Sequence, residues 1–136
     1  MNVVDSSGWI EYIADDTNAS FFEPSIIDSE MLLVPTICLY EVFKRVLQEL
    51  GEERALDAMG IMSLGTIIDL DRQIAIHAAQ ISNELKLAMA DSIILATARA
   101  YDATLWTQDE HFKNIDGVKY KQKKPKSKSQ HVPERM

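Results

Sequence analysis

Four acidic side chains, Asp5, Glu41, Asp91 and Asp109, stand at or near the ends of apolar runs in a chain that offers few other reactive groups. Carboxylates with no set of His or Cys partners are hard oxygen ligands. They suit Mg²⁺ or Mn²⁺, which one or two carboxylates can hold while waters remain for a substrate phosphate. The chemistry such a site supports is phosphodiester hydrolysis, because the cation activates a water, neutralises the developing charge and steadies the leaving oxygen. Each acid also has a local explanation. Asp5 can make an Asx turn, and Asp91 and Asp109 can cap the helices that follow them. Glu41 can pair with Lys44 or Arg45 for a few tenths of a kcal/mol. The metal reading therefore requires a fold that brings the four together.

Other chemistries lack their parts. Gly8, Gly51, Gly60, Gly65 and Gly117 form neither a Walker loop nor a dinucleotide fingerprint. An aspartyl-phosphate phosphatase would need a second Asp two positions after Asp5, where Ser7 stands. His77, His111 and His131 give no zinc spacing, and His111, which beside Asp109 could be read as a catalytic base, is expected instead at the surface of a helix start. Cys38 is the single cysteine, lies in an apolar stretch and reads as a small core residue. Asp69 and Asp71 read as a strand end and a helix cap.

The elements that must carry the acids alternate between strand and helix. Asn2 to Asp5 reads as a strand, broken by Ser-Ser-Gly into a helix with Trp9, Ile10 and Ile13. Met31 to Val34 is a second apolar run, stopped by Pro35. Thr36 is placed to cap the helix that runs through Tyr40, Val42 and Val46 to Leu50. Residues 53–62 read as a short helix and Thr66 to Leu70 as a β-branched strand. Asp71 then caps a helix through Ile74, Ile76, Ala79 and Ile81. Ser92 to Tyr101 is apolar on nearly every side and reads as a buried helix; Thr104 to Thr107 and Val118 to Tyr120 supply two more strands. This order predicts a doubly wound, Rossmann-like α/β fold with a mostly parallel sheet between helices. Ligands of such sheets bind beyond the carboxyl ends of the strands, where strand order reverses, which is where the four acids are expected.

With 136 residues, 46% of them hydrophobic and 26% charged, the chain is expected to form one ordinary domain. Its apolar runs are too short for a membrane span or a signal peptide, so a cytoplasmic protein with no membrane partner is expected. The net charge of −7 hides an asymmetry. Residues 1–118 carry 20 acidic against 7 basic side chains, whereas residues 119–136 carry 7 basic against Glu134 alone. The division expected is a domain over residues 1–120 and a mobile basic tail over 121–136. Lys121, Lys123, Lys124, Lys126 and Lys128 of that tail are candidates for a phosphate-binding arm, the alternative being a solvated end.

Val3-Val4-Asp5-Ser6-Ser7, Pro35-Thr36 through Tyr40-Glu41-Val42, Ala90-Asp91-Ser92-Ile93-Ile94 and Leu105-Trp106-Thr107-Gln108-Asp109, followed by Glu110-His111-Phe112, together resemble the PIN domain. The likeness is in particular to the VapC-type toxins of bacterial and archaeal toxin–antitoxin pairs, and it covers about residues 1–120. It implies an endoribonuclease in which Asp5, Glu41, Asp91 and Asp109 hold Mg²⁺ or Mn²⁺, a cognate antitoxin that closes the site, and a homodimer. Ser6 and Thr107 match small hydroxyl positions that would orient the carboxylates or a water. The tail has no counterpart, and Asp102 stands where a glycine-like turn residue is expected. Trp9, Tyr12, Phe21, Phe22 and Tyr40 are available either to an interface or to the core.

Two rivals follow from the same residues. One keeps the fold as a non-catalytic module that binds RNA or protein and uses the acids only structurally. The other is a receiver-like phosphorylated domain, with Asp69 after strand three as acceptor, although Lys119 and Lys121 fall in or beyond the last strand and not in the loop that such a domain requires.

Overall fold

The computed structural model describes residues 1–125. Its strands are β1 (Asn2–Val4), β2 (Leu32–Pro35), β3 (Thr66–Ile68), β4 (Thr104–Thr107) and β5 (Val118–Tyr120), and its helices are α1 (Ser6–Ile13), α2 (Ala19–Ile27), α3 (Thr36–Leu50), α4 (Glu52–Met62), α5 (Arg72–Leu85) and α6 (Met89–Ala100). Short 3-10 turns cover Ser29–Met31 and Glu110–Phe112. All five strands pair in parallel, in the order β3-β2-β1-β4-β5. This is the expected doubly wound architecture.

Parallel strands need a helical crossover between them, and the apolar stripes of the helices are what the crossovers bury. The central strands carry Val3, Val4, Leu33, Val34 and Leu105, all buried. In α6 every residue from Ser92 to Ala98 is buried, which explains a sequence that is apolar all round. At Gly8 a Cβ would lie 2.6 Å from the Phe22 ring and 2.7 Å from Val4 Cγ1, so α1 sits as close to α2 and β1 as a residue without a side chain permits.

The start of α3 differs from expectation. Pro35 takes the N-cap position, in extended backbone, and Thr36 is the first helical residue with no side-chain cap bond. Proline at the strand end already fixes the extended geometry that a cap needs. α6 begins at Met89, which leaves Asp91 inside its first turn while Ala88 occupies the cap. β3 stops at Ile68, and the helix capped by Asp71 exposes Ile76. Helix α2, which contains Pro24 and has Asn18 at its N-cap without a side-chain cap bond, is an addition to the expected elements. Asp102 adopts a φ of 52° in the turn between α6 and β4, the left-handed conformation for which glycine is the usual choice.

Most of the aromatic residues go to the core. Trp9 and Phe22 are fully buried, and Phe21 packs edge-on against Trp106 at 5.2 Å. Tyr12 packs against Trp9, and Tyr40 alone of the five stays largely exposed, at 60%. Among the described residues no helix is long and apolar enough to cross a membrane.

Candidate metal centre at the sheet switch point

The chain runs outward from β1 through β2 to β3, then returns to the other side of β1 to form β4 and β5. The reversal therefore lies between β1 and β4, whose carboxyl ends are paired at Val4 and Trp106. Asp5 follows β1 directly and its backbone N–H still donates to Trp106 O, at 3.1 Å, so the carboxylate is anchored by the sheet itself. It caps α1. Oδ1 accepts from Gly8 N at 2.9 Å and from Ser7 Oγ at 2.7 Å, and Oδ2 accepts from Thr107 Oγ1 at 2.6 Å. Thr107, at the end of β4, also accepts from Asp109 N at 2.9 Å, so one hydroxyl ties Asp5 to the loop that carries Asp109.

Asp109 caps the 3-10 turn that follows, accepting from His111 N at 2.9 Å, and His111 Nδ1 lies 2.8 Å from the same oxygen. Asp91 projects from the first turn of α6, close enough that Asp91, Asp109 and His111 each offer a ligand atom within 4.8 Å of the others. Glu41, from α3, accepts from Ser6 Oγ at 2.6 Å. No ion pair joins Glu41 to Lys44 or Arg45 among the described residues; Arg45 pairs with Glu49, and Lys44 lies over the Tyr40 ring. All four acids are thus at one edge of the sheet. The local roles of Asp5 and Asp109 as caps exist as well, and they orient the carboxylates without consuming all their oxygen lone pairs.

The electrostatics are those of a site with negative charge in excess. Asp5 is only 2% exposed, and burial lifts its carboxyl from 3.8 to about 7 against the pull of the Thr107, Ser7 and Gly8 hydrogen bonds, with repulsion from Asp109 adding to the rise. Burial also raises Asp91, to about 6, helped by Asp109 and Glu41 and opposed by His111. A divalent cation held by these groups would favour the charged carboxylates, and the donor set of carboxylates with one imidazole suits a hard or intermediate ion. The buried Cys38 thiol, pushed up by burial and by Asp5, Glu41 and Asp91 around it, is unfit as a nucleophile.

His111 and Ser7 join the site without being expected there. Asp-Ser-Ser-Gly has the pattern of a helix cap, which signals the Gly8 bond, but the Ser7 hydroxyl turning back to Asp5 has no such signal. His111 is 72% exposed as expected, yet it faces the acids. Lys121 donates its N–H to Thr107 O, extending β5 by one bond, and its ammonium lies 5.9 Å from the Phe21 ring. Lys123 shares a cavity with Asp109, His111 and Tyr120, and Lys124 is exposed. Lys126 and Lys128 lie outside the described residues. Asp69, by contrast, follows the edge strand β3, two strands away from β1, and a receiver-like fold would instead have placed its third strand next to the first.

The PIN domain family matches residues 3–118. Among solved structures, a chain of a toxin–antitoxin complex from Klebsiella pneumoniae is 25% identical with a TM-score of 0.72, over 87% of this chain and 95% of that one. A chain of the DNA-bound VapBC complex of Salmonella typhimurium gives 0.71 at 23% identity, over 89% and 96%. VapC20 of Mycobacterium tuberculosis, described as a sarcin-ricin loop cleaving toxin, gives 0.69 at 14% identity, over 85% and 95%. No curated protein matches the sequence at a significant level. The fold is that of the VapC structures, the matched residues take in all four acids, and the chain belongs to the PIN domain family.

Proposed function

We propose that this protein is a Mg²⁺- or Mn²⁺-dependent endoribonuclease and the toxin of a type II toxin–antitoxin pair. The observation that carries the reading is the convergence of Asp5, Glu41, Asp91 and Asp109 at the switch point, with His111 as a basic group beside Asp109. Asp5, Glu41 and Asp91 would hold the ion, with Asp109 completing the site directly or through a water. A cation there supplies a Lewis acid for phosphodiester hydrolysis. Thr107 fixes the Asp5 carboxylate and Ser6 fixes Glu41, so that the acids need not reorganise when a cation enters. Lys121, Lys123 and Lys124, with the basic residues beyond them, would offset the repulsion between an acidic crevice and an RNA backbone.

The likeness to chains of VapBC complexes supports a cognate antitoxin as partner, and the likeness to VapC20 supports RNA as substrate. A homodimer and a cytoplasmic location complete the reading. Incubating the purified chain with RNA in Mn²⁺, with and without excess EDTA, tests it: cleavage should require the ion. Undiminished cleavage in EDTA would remove the metal mechanism, and the absence of cleavage with retained RNA binding would favour a non-catalytic module.

A further inference from the structure

Outside the acid cluster, the described residues contain one buried polar chain that the proposed chemistry does not use. Glu11 of α1, Asn18 before α2 and Gln108 between β4 and the 3-10 turn are all buried. Glu11 Oε2 accepts from the backbone N–H of Asn18 at 2.8 Å and Oε1 accepts from Gln108 Nε2 at 2.9 Å. Gln108 Oε1 in turn accepts from Asn18 Nδ2 at 3.0 Å, and the same Nδ2 donates to the carbonyl of Gln122 at 3.1 Å. Three segments far apart in sequence are joined here: the first helices, the loop bearing Asp109, and the exit of β5.

The chain of bonds has only one consistent direction. Its two ends are backbone groups that cannot turn around, the Asn18 N–H as donor and the Gln122 carbonyl as acceptor. A carboxylate at position 11 accepts from both of its neighbours. An amide there would present a donor to the Asn18 N–H, or else force the Gln108 and Asn18 amides to flip and set an oxygen against the Gln122 carbonyl. Asn18 Oδ1 already lacks a hydrogen-bond partner in the observed network, and either arrangement strands a further buried polar group. Gln108 lies between Thr107, whose hydroxyl links Asp5 to the Asp109 amide, and Asp109 itself. Its side chain is held inward while Asp109 faces Asp91 and His111.

We infer that Glu11, Gln108 and Asn18 form a positioning relay that sets the Asp109 carboxylate at the metal site and fixes the chain at Gln122, where the basic segment begins. The inference rests on the reading of Asp109 as part of a metal site. None of the hydrogen bonds of the three side chains goes to the four acids, so all act through the backbone of the 107–109 loop. Contacts of this outer kind change metal affinity by roughly 10–100-fold when removed.

The test is a double-mutant cycle read by Mn²⁺ binding calorimetry on the full chain: wild type, Gln108→Met, Asp109→Asn and the double variant. Gln108→Met keeps the side-chain volume and removes the bonds. The relay predicts a loss of about tenfold in Mn²⁺ affinity for Gln108→Met in the wild-type background, and less than about twofold once Asp109 is already Asn. Equal losses in both backgrounds, or none in wild type, would overturn the relay. Unchanged affinity in Asp109→Asn would instead sink the reading of the site, which separates the two failures. If Gln108→Met loses its helical circular dichroism, Glu11→Gln and Asn18→Ala enter the same cycle. Loss of fold in all three would overturn the relay by showing that the network supports the domain as a whole and does not position Asp109.

Discussion

Asp5 and Asp71 do the same local work in different parts of the sheet. Each follows a strand region, each caps the next helix, and each accepts from a backbone N–H three residues on, Gly8 N at 2.9 Å and Ile74 N at 2.8 Å. Asp71 lies beyond the edge strand β3 and is exposed. Asp5 lies beyond β1 at the centre of the sheet, where Thr107 approaches from β4 and Glu41 and Asp91 come in from α3 and α6. One motif thus yields a solvated cap at the edge and a buried, charge-rich site at the switch point. The difference comes from strand order, which decides the neighbours a cap will meet.

The sharpest way to break that contrast is to neutralise both acids. Asp5→Asn should lower RNA cleavage by roughly a hundredfold or more, and Asp91→Asn likewise, while Asp71→Asn stays within about twofold of wild type, since Asn caps as well as Asp but does not bring the charge that a cation needs. Single-turnover cleavage rates with helical content checked by circular dichroism would decide it; comparable losses at positions 5 and 71 would erase the distinction. Chelation belongs to the same test. Excess EDTA should stop the wild type as completely as Asp5→Asn does and leave the melting of Asp71→Asn unaltered relative to wild type.

Stability should move in opposite directions at the two caps. A carboxyl that holds its proton more tightly in the folded chain than in the unfolded one weakens the fold as pH rises, here from about 4 through 7 for Asp5. In metal-free protein at pH 8, Asp5→Asn should therefore raise the melting temperature by about 3–5 °C and flatten its fall between pH 5 and 8. Asp71→Ala, which only removes a cap, should cost about 1 kcal/mol and lower the melting temperature at every pH. A lower melting temperature for Asp5→Asn at pH 8 would show that its hydrogen bonds outweigh its desolvation.

The smallest effect is expected from the tail. Removing residues 126–136 leaves the Gln122 anchor in place but deletes Lys126, Lys128 and Arg135. The slope of log RNA affinity against log salt should flatten by at most about 2, at about 0.7 for each phosphate that the shortened chain no longer neutralises, with the cleavage rate at saturating RNA unchanged. An unaltered slope would leave the crevice alone responsible for RNA binding.

The sequence shows these regions to unequal depths. The alternation of apolar runs with capped, amphipathic stretches is a local signal, and it places β1, β2, α3 and β4 within a residue or two and the start of α5 at its Asp71 cap, while α1 begins earlier and α5 runs further than expected. Helix α2 escapes because Pro24 sits inside it and Glu23 is its only charged residue, so no polar face marks it, while burial of Phe22 against Gly8 holds it to the core. Asp5 and Asp109 can be picked out because strand ends can be picked out, whereas Glu41 and Asp91 lie inside α3 and α6. The order β3-β2-β1-β4-β5 cannot be read from any local pattern, and without it Asp5 and Asp71 look alike. The Glu11, Gln108 and Asn18 bonds are still less visible, since Glu11 and Gln108 are 97 positions apart and their types suit any exposed helix or loop.

The lone thiol gives the crevice a built-in clock. Cys38 lies fully buried, 3.9 Å from the carbonyl of Val4, where the charges of Asp5, Glu41 and Asp91 act on it. A thiol so placed reacts with an alkylating reagent only from molecules in which α3 has parted from β1, so the labelling rate counts openings of the crevice floor. No engineered probe is needed to time them. An occupant of the crevice that draws the carboxylates together slows the count in proportion to its grip, whether or not any RNA is cut.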